Sequence, residues 1–458
     1  MDSSHYSLKR ILLHPAVLVS ALGYFVDIYD LILFSIIRTP SLQSLGLSQK
    51  DVFEQGVFLL NMQMFGMLLG GLLWGILGDK KGRLSVLFGS IIMYSLANIA
   101  NGFVHTVHSY ALLRLIAGIG LSGELGAGIT LVAESLPQSK RGIGTTVVAT
   151  VGILGAILAV FVGKNFDWRT AYYFGGALGL LLLTLRMGVV ESGMFIQTKK
   201  TLDLFRNCHE RPKCKEPRLQ KTGAYTPVCE DFLDTVTPQF GRALNFESGL
   251  LAARGQWLRL FTHTSFAIRY LRCIFIGVPI WFVVGLLLTF SPELAKHTGV
   301  LGPIDAGHSI LYGYIGLTLG DLLSGLLSQQ LKSRKKTVFI FISMLLMCAI
   351  IYLHWPHLSV FQFYGVCFLL GVTSGYWAVF MTIATEQFGT NLRATVTTTV
   401  PNFVRGAVVP ITLCFKYLAQ SHGMIQAASM VLVVVFSWAL VATFYMEDTY
   451  HKDLNFLE

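Results

Sequence analysis

Long apolar segments recur along this chain, and they constrain its fold more than any other feature. A helix of roughly 20 apolar residues crosses the hydrocarbon core of a bilayer, and the sequence contains twelve segments of suitable length. The chain is therefore predicted to cross a membrane many times. The predicted spans are residues 17–37, 53–77, 84–104, 109–135, 142–163, 170–190, 266–290, 308–331, 337–355, 358–387, 394–419 and 423–446.

The composition agrees with a membrane protein and excludes an ordinary soluble one. Hydrophobic residues make up 53% of the 458 residues and charged residues only 13%, whereas about a quarter of the residues of a soluble domain are charged. Glycines four residues apart inside the spans let helix backbones approach closely. Such pairs predict a tightly packed bundle: Gly66 and Gly70, Gly71 and Gly75, Gly316 and Gly320, Gly371 and Gly375.

The distribution of basic residues predicts how the chain is oriented. The formal net charge is +10, but the Lys and Arg residues cluster in alternate connections, such as 80–83 and 332–336, which follows the positive-inside rule. We therefore attribute this charge to orientation and expect no nucleic-acid partner. The pattern predicts a multi-pass protein of the plasma membrane, the inner membrane in a bacterium, with both termini in the cytoplasm.

Residues 197–261 differ in composition from the rest and divide the chain in two. This segment is rich in Arg, Lys and Pro, and we predict a cytoplasmic connector that is partly disordered. Residues 1–196 and 262–458 are then two six-helix bundles. They repeat one pattern, because an acid precedes an arginine by seven residues in both, at Glu134 and Arg141 and at Glu386 and Arg393.

Several motifs connect the sequence to a known family. They are the charged turn from Gly75 to Arg83, the acids Asp27 and Asp30 of the first span, and the Gly-Glu-Gly segment around Glu124. The turn resembles the signature of the major facilitator superfamily, and the first half is similar to its metabolite:proton symporters and sugar porters. Gly193 departs from that branch, because a proline is expected there. The resemblance implies an all-α fold of twelve transmembrane helices in two pseudo-symmetric six-helix bundles.

Ionisable residues inside the predicted spans are the candidate substrate and proton sites, because a charge in hydrocarbon is costly without a partner or a cavity. Asp27 and Asp30 share one helix face, and either is a candidate for the coupling acid. Alternatively, one of them pairs with a structural cation such as Arg114. Arg114 itself suits an anionic substrate or neutralises these acids. Glu124 is either a protonation site or a brace between helices.

In the second half, the eleventh span carries Arg405 three residues after Asn402. A buried guanidinium next to an amide is a plausible pair for holding an anion. Arg405 and Asn402 therefore complete the predicted substrate and proton site.

A second set of residues is predicted to form a gate on the cytoplasmic side. Asp79 and Arg83 are suited to ion pairs and helix-end contacts that break when that side opens. The alternative is that the basic residues only set the orientation. The predicted gate consists of Gly75, Asp79, Arg83, Glu134, Arg141, Glu386 and Arg393.

These features predict a secondary transporter, with its substrate site between the halves near the middle of the bilayer. We expect import of a small anionic or zwitterionic metabolite by proton symport, in a monomer without a cofactor. An exporter or uncoupled facilitator, and a receptor that does not transport, remain open. The sequence shows no set of residues for an enzyme, and Cys208, His209 and Cys214 lack a fourth metal ligand.

Overall fold

The computed structural model describes residues 13–81, 83–136, 138–186, 218–219, 225–226, 261 and 263–450. Nearly all of this is helical. The helices of the first half are α1 Pro15–Ser44, α2 Gln49–Lys81, α3 Arg83–Asn101, α4 Val107–Leu121, α5 Glu124–Ser135, α6 Gln138–Ile153, α7 Gly155–Asn165 and α8 Trp168–Arg186. Those of the second half are α9 Thr264–Phe282, followed by a π-helix Val283–Leu288, α10 Ser291–Thr298, α11 Ala306–Gln330, α12 Arg334–His354, α13 Val360–Ser374, α14 Trp377–Glu386, α15 Thr390–Gly406, α16 Val408–His422 and α17 Met424–Phe444.

Each predicted span coincides with one helix or with two helices in succession. Nine stretches of helix within the described residues are long and apolar enough to cross a membrane, and Ser85–Asn101 is a shorter apolar helix. The all-α membrane fold predicted from the sequence is therefore confirmed. The fourth, fifth, seventh, tenth and eleventh predicted spans are each divided between two successive elements.

Helix ends follow local sequence signals. His14 caps α1 and Pro15 occupies its first turn, where a missing N–H costs nothing. Asp305 caps α11 by accepting a hydrogen bond from the His308 N–H at 2.9 Å. Ser359 and Gln362 form a capping box at the start of α13.

The close glycine packing predicted from the sequence is confirmed in both halves. A Cβ atom added at Gly66 of α2 would lie 2.2 Å from the Leu115 carbonyl oxygen of α4. One added at Gly371 of α13 would lie 1.9 Å from the Gly313 carbonyl oxygen of α11. Since these neighbours are backbone atoms, any larger residue would force the helices apart.

The two halves, α1–α8 and α9–α17, pack against each other through α2, α5 and α15. Gly71 of α2 lies against the Asn402 side chain, because a Cβ atom there would be 2.7 Å from its Cβ. A Cβ atom at Gly126 of α5 would lie 2.5 Å from the Thr398 backbone. These glycines let α15 of the second half approach the first half closely.

The predicted connector, residues 197–261, lies mostly outside the described residues. Two short strands inside it are described, β1 Arg218–Leu219 and β2 Tyr225–Thr226, and they pair antiparallel. The division at residues 196 and 262 stays a prediction.

Candidate functional site

One ion pair joins the two halves in the interior of the bundle. Arg405 of α15 donates through Nη2 to Asp27 Oδ2 of α1 at 3.5 Å. Both side chains are almost completely buried, with exposed fractions of 1% and 0%. Asp27 Oδ1 and Arg405 Nε and Nη1 have no hydrogen-bond partner among the described residues. This guanidinium therefore retains buried donors for another ligand.

Three aromatic rings lie beside the Arg405 guanidinium. Its Cζ atom is 6.0 Å from the ring centre of Tyr24, 5.6 Å from that of Trp281 and 5.8 Å from that of Trp377. At these distances the ring faces attract the cation. Trp377 Nε1 is buried and lacks a hydrogen-bond partner within the described part of the chain. The site thus combines a cation, flat apolar walls and unpaired donors.

Trp377 reaches this position because the tenth span is interrupted. Helix α13 ends at Ser374 and α14 begins at Trp377. Asp321 of α11 is fully buried, and its Oδ1 accepts a hydrogen bond from the Ala378 N–H at 3.1 Å. Asp321 therefore caps α14 from a neighbouring helix and fixes the position of Trp377 beside Arg405.

This cap leads to a prediction about Asp321. Asp321→Asn keeps a carbonyl acceptor for the Ala378 N–H, so we expect it to retain the affinity of the Arg405 region for a ligand within about threefold, whereas we expect Asp321→Ala to weaken such binding by about tenfold through loss of the cap. Titration of ligand-dependent melting of the purified variants measures both affinities. If the Asn variant fails as badly as the Ala variant, the charge of Asp321, and not its cap, is what matters.

Asn402 joins the halves rather than extending the Arg405 site. Its Nδ2 donates to the carbonyl oxygens of Ser122 and Thr398, both at 2.8 Å. Ser122 lies in the first half, just before α5. Asn402 thus holds α15 against the turn between α4 and α5.

Arg114 and Asp30 form a second polar layer in the first half. Arg114 donates through Nη2 to Gln63 Oε1 and through Nη1 to the Tyr172 hydroxyl at 3.4 Å, and its Cζ lies 4.7 Å from the Phe34 ring centre. Both carboxylate oxygens of Asp30 are buried without a hydrogen-bond partner among the described residues. The ion pairs described for this chain include none between Arg114 and either acid of α1.

Glu124 is enclosed by partners within its own half. Arg186 of α8 donates two hydrogen bonds to it, from Nη2 to Oε2 at 2.7 Å and from Nη1 to Oε1 at 3.1 Å. The Ser90 hydroxyl donates to Oε1 at 2.8 Å. Both charged side chains have an exposed fraction of 0%. Of the two expectations for Glu124, this arrangement favours a brace.

The predicted cytoplasmic gate is only partly described. Gly75 lies near Thr399 of the second half, which a Cβ atom at Gly75 would approach to 3.4 Å. Glu386 accepts hydrogen bonds from Arg334 at 3.2 and 3.3 Å and from the Thr449 hydroxyl at 2.7 Å. The other gate side chains lie outside the described part: Asp79, Arg83, Glu134, Arg141 and Arg393.

Three further ion pairs join the halves at the end of the bundle where α1 ends, which we name the Arg38 end. The nitrogen-to-oxygen distances are 2.6 Å for Arg38–Glu293, 2.8 Å for Lys164–Asp305 and 3.3 Å for Lys416–Glu54. Burial raises the pKa of Asp305, but Lys164 and the His308 N–H outweigh burial and leave this pKa below its ordinary value. The Asp305 carboxylate therefore stays charged near neutral pH.

Some of these residues were not among the predicted sites. Arg38, Arg186 and Glu293 form buried or half-buried ion pairs. Their charge within or beside apolar segments distinguishes these residues in the sequence, but it does not indicate which residue each one pairs with. The aromatic neighbours of Arg405 lie in predicted spans, and the sequence offers two interpretations for Tyr24, Trp281 and Trp377: they line a cavity, or they pack or anchor at the interface as aromatic residues of spans usually do.

Comparison with known proteins identifies a family and several relatives of this chain. The chain matches the family model described as Major Facilitator Superfamily over residues 20–411. It is 25% identical over 443 residues to the niacin transporter NiaP of Acinetobacter baylyi, a match that covers 95% of this chain and 94% of that protein. It is 30% identical over 155 residues to the 3-(3-hydroxy-phenyl)propionate transporter of Escherichia coli, which covers 33% of this chain and only 38% of that transporter's length.

A solved structure is also similar. The proton:xylose symporter XylE, bound to 6-bromo-6-deoxy-D-glucose, superposes with a TM-score of 0.69 at 16% identity, and the match covers 98% of both chains. At this level of identity the likeness shows the fold alone.

Proposed function

Since this chain belongs to the Major Facilitator Superfamily, it is a multi-pass membrane transporter and not an enzyme, and we propose that it imports a small aromatic monocarboxylate by proton symport. The site is proposed to consist of Arg405 and Asp27, with Asp30 and Arg114 in support and Asn402 holding α15 against the first half. The single observation that carries this proposal is the buried Asp27–Arg405 pair between the halves.

The chemistry of Arg405 favours an anionic substrate. A planar guanidinium binds a carboxylate through two parallel hydrogen bonds, and Arg405 has two buried nitrogens without partners among the described residues. A substrate carboxylate can therefore replace Asp27 on Arg405. Such a replacement changes a contact between the two halves, as a rocking transporter requires.

The rings beside Arg405 favour an aromatic substrate. Trp281 and Trp377 present flat surfaces near the guanidinium, and a planar ring gains contact area and ring-to-ring attraction there. Niacin and 3-(3-hydroxy-phenyl)propionate, the compounds named for two relatives, each carry one carboxylate on or near an aromatic ring. These relatives support the proposed class.

Exchange on Arg405 also supplies a route for proton coupling. When the substrate carboxylate occupies Arg405, Asp27 loses its cation inside an apolar bundle. An unpaired buried carboxylate is costly, so Asp27 takes up a proton. Substrate and proton then cross together, and Asp30, three residues further along the same helix, is a second proton acceptor.

The proposed orientation places the Arg38 end outside and the chain termini in the cytoplasm. The basic connections at residues 80–83 and 332–336 support this orientation. In this orientation the three ion pairs of the Arg38 end lie on the outer side. The proposed cytoplasmic gate, which includes Gly75 and Glu386, lies at the opposite end.

A transport assay tests the proposal. We expect proteoliposomes with an acidic exterior to accumulate radiolabelled nicotinate, benzoate or 3-(3-hydroxyphenyl)propionate at least about tenfold faster than those without a gradient, because proton influx drives substrate influx. Protein-free liposomes correct for passive permeation of the undissociated acids. A protonophore should remove the stimulation.

The remaining possibilities are distinguishable in the same assay. Equal rates with and without the gradient contradict symport and favour an uncoupled facilitator. Faster exit of preloaded compound into an acidic exterior than influx from it favours an exporter that exchanges protons. Saturable binding without flux favours a receptor.

A further inference from the structure

We propose that Arg38 forms a second anion site at the Arg38 end, which a carboxylate substrate occupies before it reaches Arg405. This inference rests on the proposed function and adds a step and a residue to it. The Arg38 guanidinium has an exposed fraction of only 1%. Its Nη2 donates to Glu293 Oε1 at 2.6 Å, whereas Nε and Nη1 have no partner among the described residues.

The groups around Arg38 suit an aromatic carboxylate. The Phe290 ring centre lies 4.5 Å from Cζ of Arg38, and the Phe53 ring packs edge-on against Phe290 with centroids 5.4 Å apart. Ser291 Oγ and Glu293 Oε2 are also buried and unpartnered within the described part of the chain. Arg38 thus supplies the donors, and Phe290 and Phe53 supply the apolar contact.

Gly56 of α2 makes room for the Arg38 side chain. A Cβ atom at this position would lie 2.7 Å from Cδ and 3.1 Å from Nη1 of Arg38. Any larger residue would therefore push the guanidinium out of its place. Gly56 therefore gives the Arg38 side chain its space, and Nη1 has no acceptor among the described residues.

The Arg38 site resembles the Arg405 site, but the halves that supply the cation and the carboxylate are exchanged. Arg38 belongs to the first half and its carboxylate, Glu293, to the second, whereas Arg405 belongs to the second half and Asp27 to the first. Both guanidinium groups lie beside aromatic rings and leave Nε and Nη1 unpartnered among the described residues. Asp27 and Arg38 are about 16 Å apart along α1. One helix therefore leads from the outer site to the inner one.

The two other ion pairs of the Arg38 end lack these properties. The side chains of Lys164 and Asp305 are exposed by 30% and 51%, and those of Lys416 and Glu54 by 31% and 57%. Exposed pairs contribute little to stability and present no desolvated donors. The Lys416–Glu54 pair is therefore a matched control for the loss of an ion pair between the halves.

If Glu293 competes with the substrate for Arg38, substitutions of Glu293 and of Arg38 should shift the half-saturating substrate concentration in opposite directions. Glu293→Gln removes a competing carboxylate and frees Arg38, so the half-saturating substrate concentration for uptake should fall about fivefold. Arg38→Gln removes the donors and should raise this concentration about tenfold. Arg38→Lys keeps the charge without the planar fork and should raise it by an intermediate factor. Glu54→Gln should leave it unchanged.

Initial uptake rates in proteoliposomes measure these concentrations, with whichever of nicotinate, benzoate and 3-(3-hydroxyphenyl)propionate the wild-type protein accumulates. Ligand-dependent melting of the purified variants provides an independent affinity and shows which variants fold. If Arg38→Gln does not fold, Arg38→Lys and Glu293→Gln still differ in sign.

Two results overturn the inference in different ways. If Arg38 only latches the halves together, Arg38→Gln, Glu293→Gln and Glu54→Gln shift uptake in the same direction, while wild-type symport of the carboxylate remains intact. If the wild-type protein accumulates none of the three compounds, the proposed function fails and the Arg38 site fails with it.

Discussion

Arg405→Gln is expected to reduce carboxylate uptake by at least about 100-fold, because two charge-assisted hydrogen bonds to the substrate are lost. The substitution also leaves Asp27 buried without its cation, which favours a protonated Asp27 and removes the exchange that couples proton to substrate. Arg405→Lys should lose most of the activity as well, since an ammonium group lacks the planar pair of donors. Initial uptake rates driven by an acidic exterior measure both effects.

Asp27→Asn separates substrate binding from proton coupling at the same site. This variant keeps Arg405 available, so we expect exchange of labelled for unlabelled substrate to persist while accumulation driven by the proton gradient disappears. For Arg405→Gln the control is Lys416→Gln, which removes a cation from the same predicted span, residues 394–419. Normal accumulation by Arg405→Gln, or by Asp27→Asn, is incompatible with the proposed exchange.

The sequence indicated Asp27 and Arg405 as separate candidates, but it did not indicate that they pair. Asp27 and Arg405 were predictable as candidates because a charge inside an apolar span requires a partner or a cavity. Their pairing spans 378 positions of sequence. Successive residues of a helix differ by about 100° in direction, as 3.6 residues per turn requires. The partner therefore depends on the rotation and contact of α1 and α15, which a single sequence does not specify.

The same limit explains the placement of Glu124 and Asn402. Glu124 was predicted as either a protonation site or a brace, and the choice depends on Arg186, which reaches it from α8. Asn402 was expected beside Arg405 as an anion-holding amide, but it instead donates to Ser122 across the halves. Composition predicted the all-α membrane fold well, because the length of an apolar segment is a local property of the chain.

The cytoplasmic gate stays a prediction for all of its members. Glu386 has Arg334 and Thr449 as partners, so an ion pair to Arg393 is not needed to compensate its charge in this arrangement. Such an alternative partner is what a switch between two states requires.

The second large effect is expected at the Glu124–Arg186 pair, and it concerns stability. Removing one member of a fully buried ion pair leaves an uncompensated charge, at a cost of about 3–5 kcal/mol. Both Glu124→Gln and Arg186→Met should therefore melt at clearly lower temperatures than the wild-type protein in the same detergent. Glu124→Gln should have the larger effect, because the Arg186 guanidinium cannot lose its charge and stays buried with only a neutral acceptor, whereas a carboxyl group left without its cation in Arg186→Met can be neutralised by a proton.

The double variant Glu124→Gln with Arg186→Met decides between a brace and a protonation site. It contains no buried charge at this position, and replacement of a whole buried ion pair is often neutral or stabilising, so its melting temperature should recover most of the loss. A brace requires only the packing of α8 against α5, and the stable double variant should then still accumulate substrate. If instead the double variant folds as stably as the wild-type protein but no longer couples uptake to the proton gradient, Glu124 carries the proton and Asp27 does not.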